Sequence, residues 1–148
     1  ALSTYVKRVS ICSGSEWLSL DPTVTHLTIN ANCLNDLGEM ALDRFIVLKE
    51  LWIGDNSLNG LSELRVMEMN RLERVVVGSS SFRRAGTSNA LHVRECPSLK
   101  SVVIGDDSFA GFGVIEIASV PVLEEVRIGA NCFAAASFEL KGRVRWIV

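Results

Sequence analysis

The side chains that could carry chemistry in this chain are two histidines, four cysteines and a few aspartates. His26 and His92 fall on opposite sides of the repeat described below, and no cysteine aligns with either. Asp55 and the pair Asp106 and Asp107 look like a carboxylate cluster, but they occupy turn positions, where aspartate is common. Each repeated glycine stands alone, so no phosphate-binding loop is present. We therefore expect no enzyme activity, no metal site and no cofactor.

The four cysteines are expected to be free, mostly buried thiols. Cys33 and Cys132 take the same place in repeats four coils apart, which puts them roughly 20 Å apart at about 4.8 Å per coil. A disulfide needs Cα atoms within about 7 Å. Cys12 and Cys96 take different places in distant coils. Free thiols, with no Asn-x-Ser/Thr sequon and no targeting run, weakly favour an intracellular compartment, although the compartment stays open.

These side chains are positioned by a unit that repeats about every 24 residues. The segment 48–58 returns at 72–82, 99–109 and 123–133, with an earlier copy at 24–34 and a worn one that starts at Val6. The equivalent inward residues of the six copies are Val9, Leu27, Leu51, Val75, Val102 and Val126. A fixed period of this size indicates a solenoid, in which each coil packs only on its neighbours.

Each unit predicts a strand, a turn, a second strand and a second turn. The first strand ends at a glycine such as Gly54, where a residue without Cβ suits a tight turn. Asn56 and its equivalents are expected to be buried amides that bond the backbone of adjoining coils. Residues 83–89 are expected to form a longer corner loop, and 35–42 are compatible with one helical turn. Alternation predicts second strands on the opposite side at 40–42, 64–66, 91–93, 115–117 and 138–140.

The motif Leu-x-x-Leu-x-Ile-x-x-Asn-x-Leu at 48–58 resembles the leucine-rich repeat consensus, and the likeness covers residues 6 to about 145. The second strand is more similar to the Ile-Gly-x-x-Ser-Phe repeats of BspA-like and protozoan leucine-rich repeat proteins. The expected fold is thus a β-rich solenoid of about six coils with short strands on two sides. It forms a single domain over 1–148, or an excerpt of a longer array. The resemblance implies a scaffold for protein interaction and carries over no catalytic residue.

The candidate binding surface is the outward face of the first strands. Trp52, Val76 and Val103 take equivalent outward positions, and a contiguous apolar patch often marks an interaction site. High β-propensity alone explains the same residues equally well, so both interpretations stay open. Glu50 and Arg74 in the neighbouring column are expected to form a cross-strand ion pair. With Arg127, whose residue type is frequent at interaction hot spots, these residues complete the candidate set.

Two other classes of function are weighed against this one. The apolar stretch Trp146, Ile147 and Val148 suggests a structural segment that assembles through the C-terminal edge of the solenoid. A β-helix enzyme acting on polysaccharide would need charged residues converging on neighbouring strands, where this chain has an apolar column. A net charge of −2 and a pI near 5.7 argue against nucleic-acid binding. No apolar run approaches the roughly 18 residues that span a membrane. The expected partner is therefore a protein of unknown identity.

Overall fold

A computed structural model describes residues 5–133, 137–140 and 146–147. This part of the chain forms a β-solenoid with very little helix. The elements are β1 (Arg8–Ile11), α1 (Gly14–Leu18), β2 (His26–Ile29), β3 (Glu50–Ile53), β4 (Glu63–Met67), β5 (Arg74–Val77), β6 (Gly86–Arg94), β7 (Ser101–Ile104), β8 (Phe112–Ala118), β9 (Glu125–Ile128), β10 (Ser137–Leu140) and β11 (Trp146–Ile147).

The strands form two parallel sheets on opposite sides of the coil. The first sheet has seven strands in the order β1-β2-β3-β5-β7-β9-β11, and the second has four in the order β10-β8-β6-β4. Short strands on two sides were predicted from the repeat, and the structure confirms them. Six coils were expected. Four turns contribute a strand to both sheets, whereas β1 and β2 belong to the first sheet only. The coils of β1 and β2 have no strand in the second sheet, so the predicted strand at 40–42 is wrong.

The core lies between the sheets and is built from the inward columns. Leu27, Leu51 and the equivalent residues of the following strands are at most 2% exposed. At the corner after the first sheet, Phe82 and Phe109 stack with ring centroids 4.3 Å apart, and Phe109 stacks on Phe133 at 5.1 Å. Such aromatic pairs add about 1 kcal/mol each beyond the area they bury. The same side-chain type in the same repeat position therefore stabilises the stack of coils.

At this corner, the buried side chains that bond the backbone of the adjoining coil are serines, and not Asn56 or its equivalents. Ser81 Oγ accepts a hydrogen bond from the Ser57 N–H at 3.1 Å and donates to the Gly54 carbonyl at 2.8 Å. Ser57 and Ser108 repeat this geometry with their own neighbours. Asn56 is exposed, and its Nδ2 donates to Oδ1 of Asn32 in the coil before. The expectation of a buried amide that bonds the backbone of adjoining coils is therefore wrong, since the buried side chain that does so is the serine at the next position.

The repeated glycine is needed for close approach between coils, not for a left-handed backbone. A Cβ on Gly54 would lie 2.6 Å from the backbone nitrogen of Ala31 in the preceding coil. The left-handed conformations instead fall two and four residues later, at Asn56 with φ 53° and Leu58 with φ 57°. Leucine and phenylalanine rarely adopt this conformation, which costs about 1–2 kcal/mol. Burial of the large side chain at that position, as for Leu58 at 0% exposure, offsets this cost.

Two local features depart from the regular coil. A short helix, α1, begins with a capping box in which Ser13 accepts from the Glu16 N–H and the Glu16 carboxylate accepts from the Ser13 N–H. Trp17 of this helix is buried and packs on Phe45 at 5.4 Å. The expected corner loop at 83–89 is largely β6, which begins at Gly86 and absorbs the extra residues as a register shift against β8. Residues 35–42 form no helical turn.

Cys12 and Cys33 form a disulfide with a Cα–Cα distance of 4.8 Å, so the prediction of four free thiols is wrong. The physical reason is the serine geometry above. In later coils the residue at this position reaches back to the residue that follows the preceding first strand, as Ser57 reaches Asn30. Cys33 occupies that position in the second coil, and Cys12 follows β1 in the first. The inference of a reducing compartment therefore loses its main premise.

Candidate functional site

The outward column of the first sheet is continuous through the register of the strands. Trp52 of β3 lies beside Val76 of β5, which lies beside Val103 of β7. We call these three residues the tryptophan column. Thr28 of β2 continues the column on one side and Arg127 of β9 on the other. Because parallel strands lie about 4.8 Å apart, the three apolar residues span about 10 Å of surface.

Trp52 is the most exposed member of the tryptophan column, at 40% of its surface, whereas Val76 and Val103 are half-buried. Its indole Nε1 donates a hydrogen bond to Oε1 of Glu50 at 2.8 Å. The ring is therefore held against the sheet by a residue two positions earlier in β3. An aromatic side chain that is already oriented loses less conformational entropy when a partner covers it.

The expected ion pair between Glu50 and Arg74 does not form, although their Cα atoms are paired in register. The Glu50 carboxylate turns instead to Trp52 and to His26, whose Nε2 lies 3.7 Å from Oε2. Within the described residues, Arg74 makes no ion pair. Arg127 Nε lies 2.6 Å from Glu125 Oε1 on its own strand. Unlike Arg127, Arg74 thus presents a charge that has no ion-pair partner among the described residues.

A shallow pocket of about 320 Å³ opens beside Trp52 at the β1 end of the face. Its polar rim includes Arg8, His26 and Glu50. Burial, followed by the positive charge of Arg8, lowers the pKa of His26 below its ordinary value, while Glu50 acts in the opposite direction. This shift favours the neutral imidazole. Sequence reasoning did not single out Arg8, although its place one residue before Val9 puts it opposite His26 in the register.

The outward face of the second sheet carries a network of charges. Glu116 Oε1 lies 3.1 Å from His92 Nδ1, and 3.4 Å from Arg94 Nε in an ion pair without a hydrogen bond. Glu63 lies 3.8 Å from both Arg65 and His92. Neighbouring coils thus compensate each other's charges, as expected for a solvated face. Such exposed pairs contribute little stability.

The remaining candidate chemistry is unfavourable in the described residues. Burial raises the pKa of the Cys96 and Cys132 thiols, so neither is an activated nucleophile. Across 5–133, 137–140 and 146–147, no group of three His, Cys, Asp or Glu side chains could hold a metal ion. No helix in the same residues is long and apolar enough to cross a membrane.

The candidate assembly edge lies at the end of the first sheet. The backbone of Trp146 and Ile147 forms β11, which pairs with β9 in parallel, Trp146 opposite Val126. In the described chain, β11 is the last strand of this sheet. Val148 lies outside the described residues.

Comparisons with protein-family models, with curated proteins and with solved structures find no match to this chain. The likeness to leucine-rich repeats therefore rests on the repeated motif alone.

Proposed function

We propose that this chain is a non-enzymatic protein-interaction module that binds a partner protein through the tryptophan column. The observation that carries the proposal is the alignment of Trp52, Val76 and Val103 on three adjacent strands, facing outward. An apolar strip on an otherwise charged surface is the usual composition of an interface centre with a polar rim. A solenoid of the leucine-rich repeat type, with about six coils in the BspA-like arrangement, is part of the same proposal and is supported by the motif.

Trp52 is the expected anchor of this interface. Tryptophan is among the residue types most frequent at hot spots, and truncation of such a residue costs 2 kcal/mol or more, roughly thirtyfold in affinity. The pocket beside it has room for one side chain of the partner. Arg74, Arg127 and Glu50 form the rim, where charges govern the rate of association more than the affinity. The unpaired guanidinium of Arg74 favours a partner with a carboxylate at the matching place.

The test compares two variants that each add negative charge at an exposed apolar residue. Trp52→Glu lies in the tryptophan column, whereas Ile46→Glu replaces a residue that is 72% exposed in the loop before β3. Immobilised wild-type protein and both variants are used to capture partners from the source cell extract, and captured proteins are quantified by mass spectrometry. We expect Trp52→Glu to lose at least about tenfold of the specific capture and Ile46→Glu to retain it. Equal capture by Trp52→Glu and wild type would place the interface elsewhere.

The alternative function is a structural segment that assembles through β11. It is favoured by the position of Trp146 and Ile147 in the end strand of the first sheet among the described strands, where unpaired backbone groups can recruit another strand. Light scattering over a range of dilutions distinguishes the two functions. Association that weakens on dilution and is removed by Trp146→Lys supports assembly, whereas a monomer at all concentrations supports the interaction module.

A further inference from the structure

The second sheet begins with an open edge inside the solenoid, at β4. In the order β10-β8-β6-β4, β4 has a neighbour on one side only. The coil before it supplies residues 38–43 at this level, but these form no strand and make no backbone hydrogen bond to β4. The edge is therefore open because one coil lacks its second strand.

The backbone register shows which groups of β4 are unpaired. The Ser62 carbonyl accepts from the Ala90 N–H, and the Glu68 N–H donates to the Arg94 carbonyl, so both residues face β6. Because successive residues of a strand face opposite neighbours, the N–H and C=O groups of Glu63, Arg65 and Met67 face away from β6. Within the described residues, no backbone group bonds to them.

The opening is local, because the two coils are in contact on both sides of it. Before it, Gly60 approaches the Asn35 carbonyl so closely that a Cβ would lie 2.6 Å away. After it, the Glu73 N–H donates to the Lys49 carbonyl at 2.8 Å. Between these two contacts lies a groove of about 620 Å³, lined on one side by residues 38–43 and on the other by β4.

The groove carries a net negative charge, which favours a positively charged occupant. Four exposed carboxylates line it, against the single guanidinium of Arg65, which lies beside Glu63. A second copy that docked at this edge would bring together two grooves that each carry four carboxylates against one guanidinium, and their net negative charges would repel one another. A strand with lysine or arginine at alternate positions would instead bring cations to the carboxylates. The carboxylates of the groove are Glu39, Asp43, Glu63 and Glu68.

We propose that the edge of β4 is a second binding site, which takes up an extended basic segment of a partner protein by strand addition. The main-chain groups of Glu63, Arg65 and Met67 supply the hydrogen bonds, and the carboxylates of the groove supply the selectivity. This is the β-augmentation mode of peptide recognition. The site lies on the sheet opposite the tryptophan column and does not depend on that column.

Binding is tested with a synthetic peptide of about eight residues that alternates lysine and threonine, with a glutamate–threonine peptide as its control. Fluorescence anisotropy at about 50 mM salt gives the affinity, and hydrogen exchange gives the location. We expect the lysine peptide to bind and to slow exchange at the amides of Glu63, Arg65 and Met67. The amides of Leu64 and Val66, already directed at β6, serve as internal controls. Failure to bind at about 1 mM, or protection elsewhere, would overturn the proposal.

Two variants at one position separate strand addition from simple charge attraction. Arg65→Pro removes the outward N–H, and proline is tolerated in an edge strand when its nitrogen faces away from the sheet. Arg65→Val removes the same charge and keeps the N–H. We expect the proline variant to bind at least about tenfold more weakly than the valine variant. Equal affinities would overturn strand addition. Circular dichroism checks that both variants are folded, and Met67→Pro repeats the test if the first variant is not.

A final comparison addresses the selectivity and the identity of the occupant. Glu63→Gln should weaken the lysine peptide by about threefold, while Glu124→Gln, an exposed carboxylate outside the groove, should leave it unchanged. Equal effects would remove the groove carboxylates from the proposal. Light scattering without peptide tests for a second copy. Self-association that Arg65→Pro abolishes would identify another copy of this chain as the occupant and overturn the assignment to a basic partner.

Discussion

Replacement of Ser81 by alanine tests whether the buried serines hold adjacent coils together. Ser81 is 0% exposed, and its hydroxyl binds two backbone groups of the preceding coil, the Ser57 N–H and the Gly54 carbonyl. Within the described residues, neither backbone group has another partner. Each buried polar group left without a partner costs about 1–3 kcal/mol. Since Gly54 as a residue is only partly buried, we take the lower half of this range for the two groups together and expect Ser81→Ala to lower the free energy of unfolding by about 3 kcal/mol.

The assay is urea denaturation followed by far-UV circular dichroism, with thermal melts as a second measure. A loss of about 3 kcal/mol corresponds to a fall in Tm of about 9 °C for a chain of this length. Ser79→Ala is the matched control, because the Ser79 side chain makes no hydrogen bond in the described structure, and it should change stability by less than about 0.5 kcal/mol. Ser81→Cys should lie between the two, since Cys132 Sγ still reaches the Gly105 carbonyl at 3.2 Å. Equal stabilities of Ser81→Ala and Ser79→Ala would refute the reasoning.

Three further measurements test the disulfide, the glycine position and the partly buried His26. The Cys12–Cys33 bond spans 21 residues, so reduction should lower stability by about 3 kcal/mol, and Cys12→Ser should abolish the effect of a reductant on the urea midpoint. Gly54→Ala should cost about 2 kcal/mol through its clash with the preceding coil, whereas Gly14→Ala, with no atom within 4 Å, should cost less than about 0.5 kcal/mol. The NMR titration of His26 should fall below the ordinary pKa of 6.5. Its contribution to stability should therefore be present above pH 6.5 and decline as the pH falls through that value, and a titration at or above 6.5 would contradict this.

The repeat predicted the first sheet well because residues at equivalent positions of successive repeats pair with one another in the sheet. Once Leu27, Leu51 and Val75 were placed in one column, the outward neighbours Trp52 and Val76 were placed as well, and the register agrees. The same reasoning could not predict where the Glu50 side chain turns. Its Cα is paired with that of Arg74, but the indole N–H on its own strand is a closer donor.

The disulfide shows a second limit: an alignment of the repeats does not reveal contacts between residues at different positions of the repeat. Alignment compares like positions, and Cys12 and Cys33 occupy unlike ones. Their proximity follows from how one position reaches another in the next coil, as Ser57 reaches Asn30. The disulfide could be predicted from the sequence only by someone who already knew the serine contacts of the later coils. For the helix α1, by contrast, Ser13 and Glu16 at capping-box spacing were a signal that could have been read directly.

Alternation is usually taken to predict both which side chains are buried and that the backbone pairs as a strand. Residues 40–42 show the first without the second. Met40 and Leu42 are buried at 5% and 2%, as the pattern requires, yet their backbone does not pair with β4. The later coils place valine, isoleucine or phenylalanine in this strand, whereas this coil has Met-Ala-Leu after Gly38 and Glu39, which are weak strand formers. Alternation therefore specifies which side chains enter the core, while β-propensity decides whether the backbone joins the sheet. Where the first holds without the second, the solenoid keeps its core and exposes the edge of the next strand, which is the condition for the groove at β4.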